Sequence, residues 1–486
     1  MLYRKLIEQH LENKETIFQD DQHQLRYFEL NEYAKAFYRI LKNLPRDGTI
    51  LICSINCIES CIVMLGCIAF GYRYTVVHEK ITDDKKMYIL QNSKISLVVG
   101  KNPDWCVNSN RDILFFPLKD IWKLEKIDSD YQRQLIPLSQ DVYILYTSGT
   151  TRLPKGVLAG VSQVIFSIDA INKVLLNSKE DFIWNCLPLA FDYGMYQLFL
   201  ALDSEASFYI SSQPVISCIP KILVQKKITA FPVVPSLLGM LLKSKLLSRI
   251  EGLSLRYISS TGDALPVSWI KQIESLFPQT TVVPMYGITE CKRVAIMPLT
   301  DKRKKYEGSC GLPIPGIEVE IEKQEEDDNF GELIVYGPNV MKGYWNSCVD
   351  GNMEFGFDKK RNLSFLKTGD IFQKDEDGYL YFIERKSAFI KSNGYRISGK
   401  EIDEYIFNHV IGVDEVYTLG VPDEILGQKI VTIISGKYVK KELKQAIMKL
   451  PHYMRPHKIK SVCYVLPKTD NGKYDKNKLY EIAVMM

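Results

Sequence analysis

Between residues 49 and 235, short runs of β-branched and aromatic residues alternate with longer stretches of helical periodicity. No other feature of the chain constrains its fold as much. The runs 49–55, 96–100, 112–118, 141–147, 181–187 and 229–235 read as buried strands, with helices such as 58–70 and 161–176 between them. Such a succession builds α/β layers around largely parallel strands. From about residue 308 the texture changes. The runs 316–323, 331–337, 363–372 and 378–384 are short strands divided by glycine-rich or acidic turns, the pattern of an antiparallel β unit. Beyond about residue 387 a compact α+β piece is expected: helix 399–409, strands 413–421 and 429–435, helix 440–449 and strand 461–467. The expected domains are therefore 1–386 and 387–486, joined near Glu384 to Ser387.

Charge excludes some partners. Lys plus Arg number 62 and Asp plus Glu 58, a net charge of +4 that gives no reason to expect nucleic acid or an anionic membrane surface. The 11 cysteines sit in apolar segments with no CxxC pair, and only 6 histidines accompany them. They read as buried thiols of a reducing compartment rather than a zinc site. Cys53, Cys57 and Cys61 would share one face if their stretch is helical. The N-terminal stretch has no signal-peptide apolar region, and the longest apolar run, Cys61 to Tyr72, is about 12 residues where a span needs ~20. A cytoplasmic protein without a membrane span is expected.

The sharpest local signal is the string from Tyr146 to Gly156, directly after the strand 141–147. Thr147, Ser148, Gly149, Thr150 and Thr151 offer hydroxyls and backbone N–H groups, and Lys155 adds a cation; together they suit a polyphosphate. It is not a Walker A loop, because no Gly-Lys-Ser/Thr opens a helix here. The string resembles the S/T-S-G-T-T-G-x-P-K-G loop of the adenylate-forming superfamily, which includes acyl-CoA synthetases, luciferase-like enzymes and nonribosomal peptide adenylation domains. The one departure is Arg152, where glycine is usual. Arg152 would be strained at a positive φ, or would add a phosphate-facing cation if the loop moves.

The resemblance spans almost the whole chain. Leu25 to Leu30 is similar to an early helix entry of the family, and Ser259 to Pro266 to the strand-loop whose backbone frames adenine, which implicates Gly262, Asp263 and Ala264. Met285 to Glu290 matches the YGxTE motif. The resemblance implies Tyr286 packed on adenine, Thr289 on the α-phosphate and Glu290 on Mg²⁺, roles that suit a flat aromatic and a hard carboxylate. Gly331 to Gly337 and Gly343 to Trp345 read as structural. Lys367 to Asp370 matches the family's TGD, which makes Asp370 the ribose ligand by resemblance, with Arg385 beside it. Ser387 stands at the hinge, where Asp or Lys is usual. Leu466 to Lys473 matches LPxTxNGK and identifies Lys473 as the adenylation lysine. One ammonium bridging a carboxylate and an α-phosphate would quench their repulsion. The family fold implied is α/β: a large multi-layer N-terminal domain, with two sheets, helices and a small β-barrel-like unit, and a small mobile α+β C-terminal domain.

The acid to be activated is read from Asp192, which falls where peptide-synthetase domains place the aspartate that pairs with an α-ammonium. The competing reading is a helix cap at the helix starting near Tyr193. Tyr193, Tyr196, Ser259 and Met285 align with pocket positions and leave a modest, partly apolar space. Arg293 falls near the pocket wall, and would admit an acidic or polar substrate if it points inward. The resemblance is nearest in look to stand-alone prolyl-type enzymes. It implies ATP and Mg²⁺ as cofactors, a small amino acid as substrate, and a phosphopantetheine thiol on a discrete carrier protein or on CoA as acceptor. An acyl- or aryl-CoA ligase is the alternative, and a non-catalytic nucleotide-binding relative a third.

Overall fold

The computed structural model describes the chain except residues 55, 80, 104–112, 127–135, 148–153, 213, 251, 302, 324–328, 347–353, 387, 394, 470–473 and 486. The alternating stretch builds two sheets. In the first, Arg73–His78, Thr49–Ser54, Ile95–Gly100 and Leu114–Pro117 lie side by side and parallel, and Asp141–Thr147 joins parallel to Arg73–His78. Lys155–Gly160 returns antiparallel along Asp141–Thr147, and Gly343–Tyr344 closes that side. In the second, Ser207–Ile210, Phe182–Asn185, Ala230–Val233, Tyr257–Ser260 and Thr281–Ile288 are parallel neighbours. Lys292–Ile296 turns back antiparallel beside Thr281–Ile288. The strands Arg73–His78 and Lys155–Gly160 escape a hydrophobicity reading because each opens on a cation.

The long apolar run is a core helix. Ile58–Phe70 is buried at every position and packs against Tyr27–Ala36. A helix apolar all round belongs in an interior. It ends at Gly71, whose φ of 71° is the left-handed cap that glycine allows, with its N–H donating to the Cys67 carbonyl. The expected shared helix face of three cysteines is corrected: Cys53 lies in Thr49–Ser54, Cys57 precedes the helix, and only Cys61 is inside it. Nine described cysteines are free thiols. Among the described residues no helix is long and apolar enough to cross a membrane.

The antiparallel unit is a five-stranded sheet. Its 12-residue strand Leu363–Lys374 pairs with Gly331–Tyr336 on one side, and with Glu354–Asp358 and then Leu380–Arg385 on the other. The last sheet holds Ile390–Ser392, Tyr395–Ile397, Val413–Asp423, Gly427–Gly436 and Lys458–Val462, under the helices Gly399–His409 and Lys440–Lys449. The strand expected over 461–467 is corrected to Lys458–Val462, parallel to Gly427–Gly436. It is an edge strand, and the alternation of its lysines, not the apolar run after it, sets its place. Leu466 packs separately, beneath Leu479 and Val431.

Candidate active site

Two adjacent residues of one strand organise the site. Side chains alternate across a strand, so Met285 and Tyr286 of Thr281–Ile288 face opposite ways. Tyr286 packs edge-on to Phe372 at 4.6 Å and near Phe382 at 6.4 Å, and its hydroxyl donates to Oδ2 of Asp370 at 2.7 Å. Nε of Arg385 lies 3.2 Å from Oδ1 of the same carboxylate, which is buried. The pairing of Leu363–Lys374 with Leu380–Arg385 sets Asp370 directly opposite Arg385. The three residues named from separate motifs thus meet at one point.

The turn after this strand carries Thr289 and Glu290. Glu290 is buried, with its Oε1 accepting from the Tyr344 hydroxyl at 2.9 Å. Burial raises its carboxyl above the usual carboxylate range, partly offset by hydrogen bonds from its own backbone and Tyr344 and by the charge of Arg385. The turn is pinned from outside, since the Met341 N–H donates to the Glu290 carbonyl and Asn339 to that of Cys291. Nζ of Lys155 stands 5.0 Å from the centre of the Tyr344 ring. Thr147 and Lys155 face each other as a strand pair at the two ends of the hydroxyl-rich segment. Ser148, Gly149, Thr150, Thr151, Arg152, Ser387 and Lys473 lie outside the described residues.

Gly262, Asp263 and Ala264 are exposed at the C-terminal end of Tyr257–Ser260, where parallel sheets receive ligands. Just before them, the buried hydroxyls of Ser260 and Thr261 have no hydrogen-bond partner among the described residues. Lys476 of the C-terminal unit lies within electrostatic reach of Glu384, Arg385, Asp263 and Asp370.

On the Met285 side lies a cleft of about 290 Å³, counting its open mouth. Its walls include Asp192, Tyr193, Tyr196, Met285, Lys292 and Arg293. Asp192 is the first residue of the helix Asp192–Ser204, and the helix start has no side-chain capping bond, so the cap reading does not hold. Its Oδ2 lies 3.6 Å from Nη1 of Arg293. The chain thus supplies a cation to Asp192 itself, and Arg293 does point inward. Tyr193 lies under the Arg293 guanidinium at 4.5 Å and donates to the Ser259 carbonyl at 2.9 Å. Tyr196 shares a hydrogen bond of 3.1 Å with Tyr143.

Sequence reading missed Lys292 and Tyr344. Lysine beside arginine reads as solvated surface, yet Lys292 is 1% exposed. Burial lowers its ammonium to about 8, opposed by Asp192. Tyr344 lies in a segment whose sequence reads as packing alone. Its place one residue before a tryptophan gave no sign of the carboxylate 54 positions earlier in sequence.

The class follows from family likeness. The profile of the AMP-binding enzyme family matches residues 5–345, and that of the AMP-binding enzyme C-terminal domain matches 401–473. The chain belongs to the AMP-binding enzyme family, within the adenylate-forming superfamily. Within it, the chain is 29% identical over 378 residues to the probable CoA ligase CCL8 of Humulus lupulus, covering 69% of this chain and 60% of that one. It is 26% identical over 475 residues to bacitracin synthase 1 of Bacillus licheniformis, covering 94% of this chain but 9% of that protein. The match therefore spans less than two thirds of either relative. In fold it is similar to ATP-bound MatB from Rhodopseudomonas palustris, with a TM-score of 0.89 at 20% identity over 99% of this chain and 98% of that one.

Proposed function

We propose that the protein is an AMP-forming acid–thiol ligase. It joins a carboxylic acid to ATP as an acyl-adenylate with release of pyrophosphate, then passes the acyl group to the pantetheine thiol of CoA. The observation that carries the reading is the adjacency of two unlike sites across one strand: Met285 lines a cleft with Asp192, Lys292 and Arg293, and Tyr286 beside it meets the Asp370–Arg385 pair.

On this reading Tyr286 packs on adenine, framed by Gly262, Asp263 and Ala264, and Asp370 accepts from the ribose hydroxyls beside Arg385. Thr147, Ser148, Gly149, Thr150, Thr151 and Lys155 hold the departing phosphates, and Thr289 donates to the α-phosphate. The buried carboxylate of Glu290 fits a magnesium ion, because desolvation raises its energy unless a cation joins it. Bound there, the ion would offset phosphate charge. Tyr344 fixes the direction of the carboxylate. Lys473 bridges the incoming carboxylate and the α-phosphate, so a carboxylate oxygen bonds to phosphorus while pyrophosphate leaves. In the second step the thiol bonds to the acyl carbon and AMP leaves. Residues 1–386 and 387–486 would act as two units turning about Ser387 between the steps.

CoA as acceptor is supported by the name of the hop relative. A second reading, a prolyl-type enzyme loading a small amino acid onto a discrete carrier protein, is favoured by the match to bacitracin synthase 1 along 94% of this chain. The Asp192–Arg293 pair weighs against it, since the carboxylate that would take the ammonium already has a cation. Acid-dependent ATP–pyrophosphate exchange, followed by thioester formation on CoA, tests the proposal. Exchange with amino acids alone and no CoA thioester would install the second reading. Absence of exchange with every acid would defeat both.

A further inference from the structure

The cleft holds a cation that no hydrogen bond from the described residues satisfies. Lys292 is 1% exposed, and its Nζ is buried without a hydrogen-bond partner among the described residues. An ammonium carries three donors and no acceptor, so leaving it bare in an interior is costly. It stands over two ring faces, Tyr143 at 4.9 Å and Tyr196 at 5.0 Å. They attract the charge but accept none of its N–H bonds in the manner of an oxygen. The backbone is also in an unfavourable state, with Lys292 at a φ of 58°. The hairpin enforces it: a Cβ at Gly287 would stand 2.0 Å from the Lys292 carbonyl oxygen, so only glycine lets the two strands close this tightly. An aliphatic residue would fill the same space without a buried charge. Strain and an unsatisfied cation at one residue on the wall of a cleft point to a ligand.

The charges of the wall indicate which ligand. Asp192 attracts Lys292 through space, but its ion pair is with Arg293, which lies between that carboxylate and the Tyr193 ring. Glu290 is within electrostatic reach of Lys292, but its carboxylate is held by Tyr344 and is not part of the cleft wall. The lining therefore carries two cations against one anion. A fatty or aryl tail would leave Lys292 bare, and a neutral amino acid would bring in a further cation. We propose that Lys292 binds a second carboxylate on the tail of the acid being activated, so that the substrates are short acids carrying two carboxylates. The inference rests on the acid-activating reading above and names the substrate class of that same site. The two tyrosines and the methionine of the wall restrict the tail to a few carbons.

Matched acids test this in ATP–pyrophosphate exchange: succinate against butyrate, and glutarate against valerate, with wild type and Lys292→Met. Wild type should prefer each dicarboxylate in kcat/KM by roughly a hundredfold, the loss typical of truncating one partner of a buried charge pair. Lys292→Met should erase that ratio. A wild type that prefers butyrate, or a variant that keeps the ratio, overturns the inference while leaving acid activation intact. If no acid supports exchange, the acid-activating reading fails, and calorimetric titration of succinate decides the present point separately. Binding at least tenfold weaker to the variant supports it, and equal or absent binding to wild type overturns it. If Lys292→Met does not fold, the wild-type preference alone decides.

Discussion

Asp192→Asn perturbs the cleft with least change of shape. The carboxylate lies 3.6 Å from the Arg293 guanidinium, with side-chain exposures of 19% and 5%. At an effective dielectric near 20, unit charges at that distance attract by about 5 kcal/mol. Desolvation offsets part of this, which leaves a coupling of roughly 2–3 kcal/mol. The amide preserves volume but leaves Arg293 and Lys292, both buried, with no anion in the wall between them. Equilibrium urea denaturation should therefore show Asp192→Asn less stable by ~3 kcal/mol. Arg293→Gln in the same chain should recover about 2 kcal/mol of the summed loss in a double-mutant cycle. Effects additive within ~0.5 kcal/mol would mean that the two groups do not hold each other. The variant also separates the two functional readings. If Asp192 holds a substrate ammonium, amino-acid-dependent exchange vanishes. If it holds Arg293, exchange with simple acids falls but persists. ATP affinity should be unchanged in either case.

Other expectations follow from single contacts. Tyr344→Phe removes the hydroxyl donor to Glu290, a bond to a charged group worth about 1.5–3 kcal/mol. Magnesium titration of exchange should show roughly 10–100-fold lower activity at limiting metal, with the KM for the acid unaltered. Asp370→Asn should weaken ATP binding by about the same factor. It should also no longer distinguish ATP from 2′,3′-dideoxy-ATP, whereas wild type does so in equilibrium titration. Asp403, on the helix Gly399–His409, has its carboxyl raised to about 8 by burial, partly offset by Thr418. The folded state then keeps a proton that the unfolded state releases above about 4, so this group's contribution to stability is full at low pH and declines as pH rises toward 8. The slope is at most ~1.4 kcal/mol per pH unit. Asp403→Asn should flatten that slope in pH-dependent denaturation.

Much of the fold was legible because it is written in short-range pattern. The helices Ile58–Phe70, Gly399–His409 and Lys440–Lys449 coincide with their apolar spacing. Strand order was not legible, because the alternation of 49–235 looks the same whether it feeds one sheet or two, and the split between Lys155–Gly160 and Phe182–Asn185 is set by long-range pairing. The nucleotide-side residues were legible as strings, and Tyr286, Asp370 and Arg385 meet as their motifs imply. Lys292 and the partner of Asp192 were not. Both depend on the bulge between Tyr286 and Gly287 that turns consecutive cations inward, and periodicity carries no signal for such a register shift.

The most direct measurement follows an oxygen atom. An acid labelled with ¹⁸O in both carboxylate oxygens is incubated with the enzyme, ATP, magnesium and CoA, and the products are weighed by mass spectrometry. Passage through an acyl-adenylate yields AMP carrying a single ¹⁸O, unlabelled pyrophosphate, and a thioester that keeps the other label. Unlabelled AMP, or ADP with labelled orthophosphate, would mean that the carboxylate never bonded to the α-phosphorus.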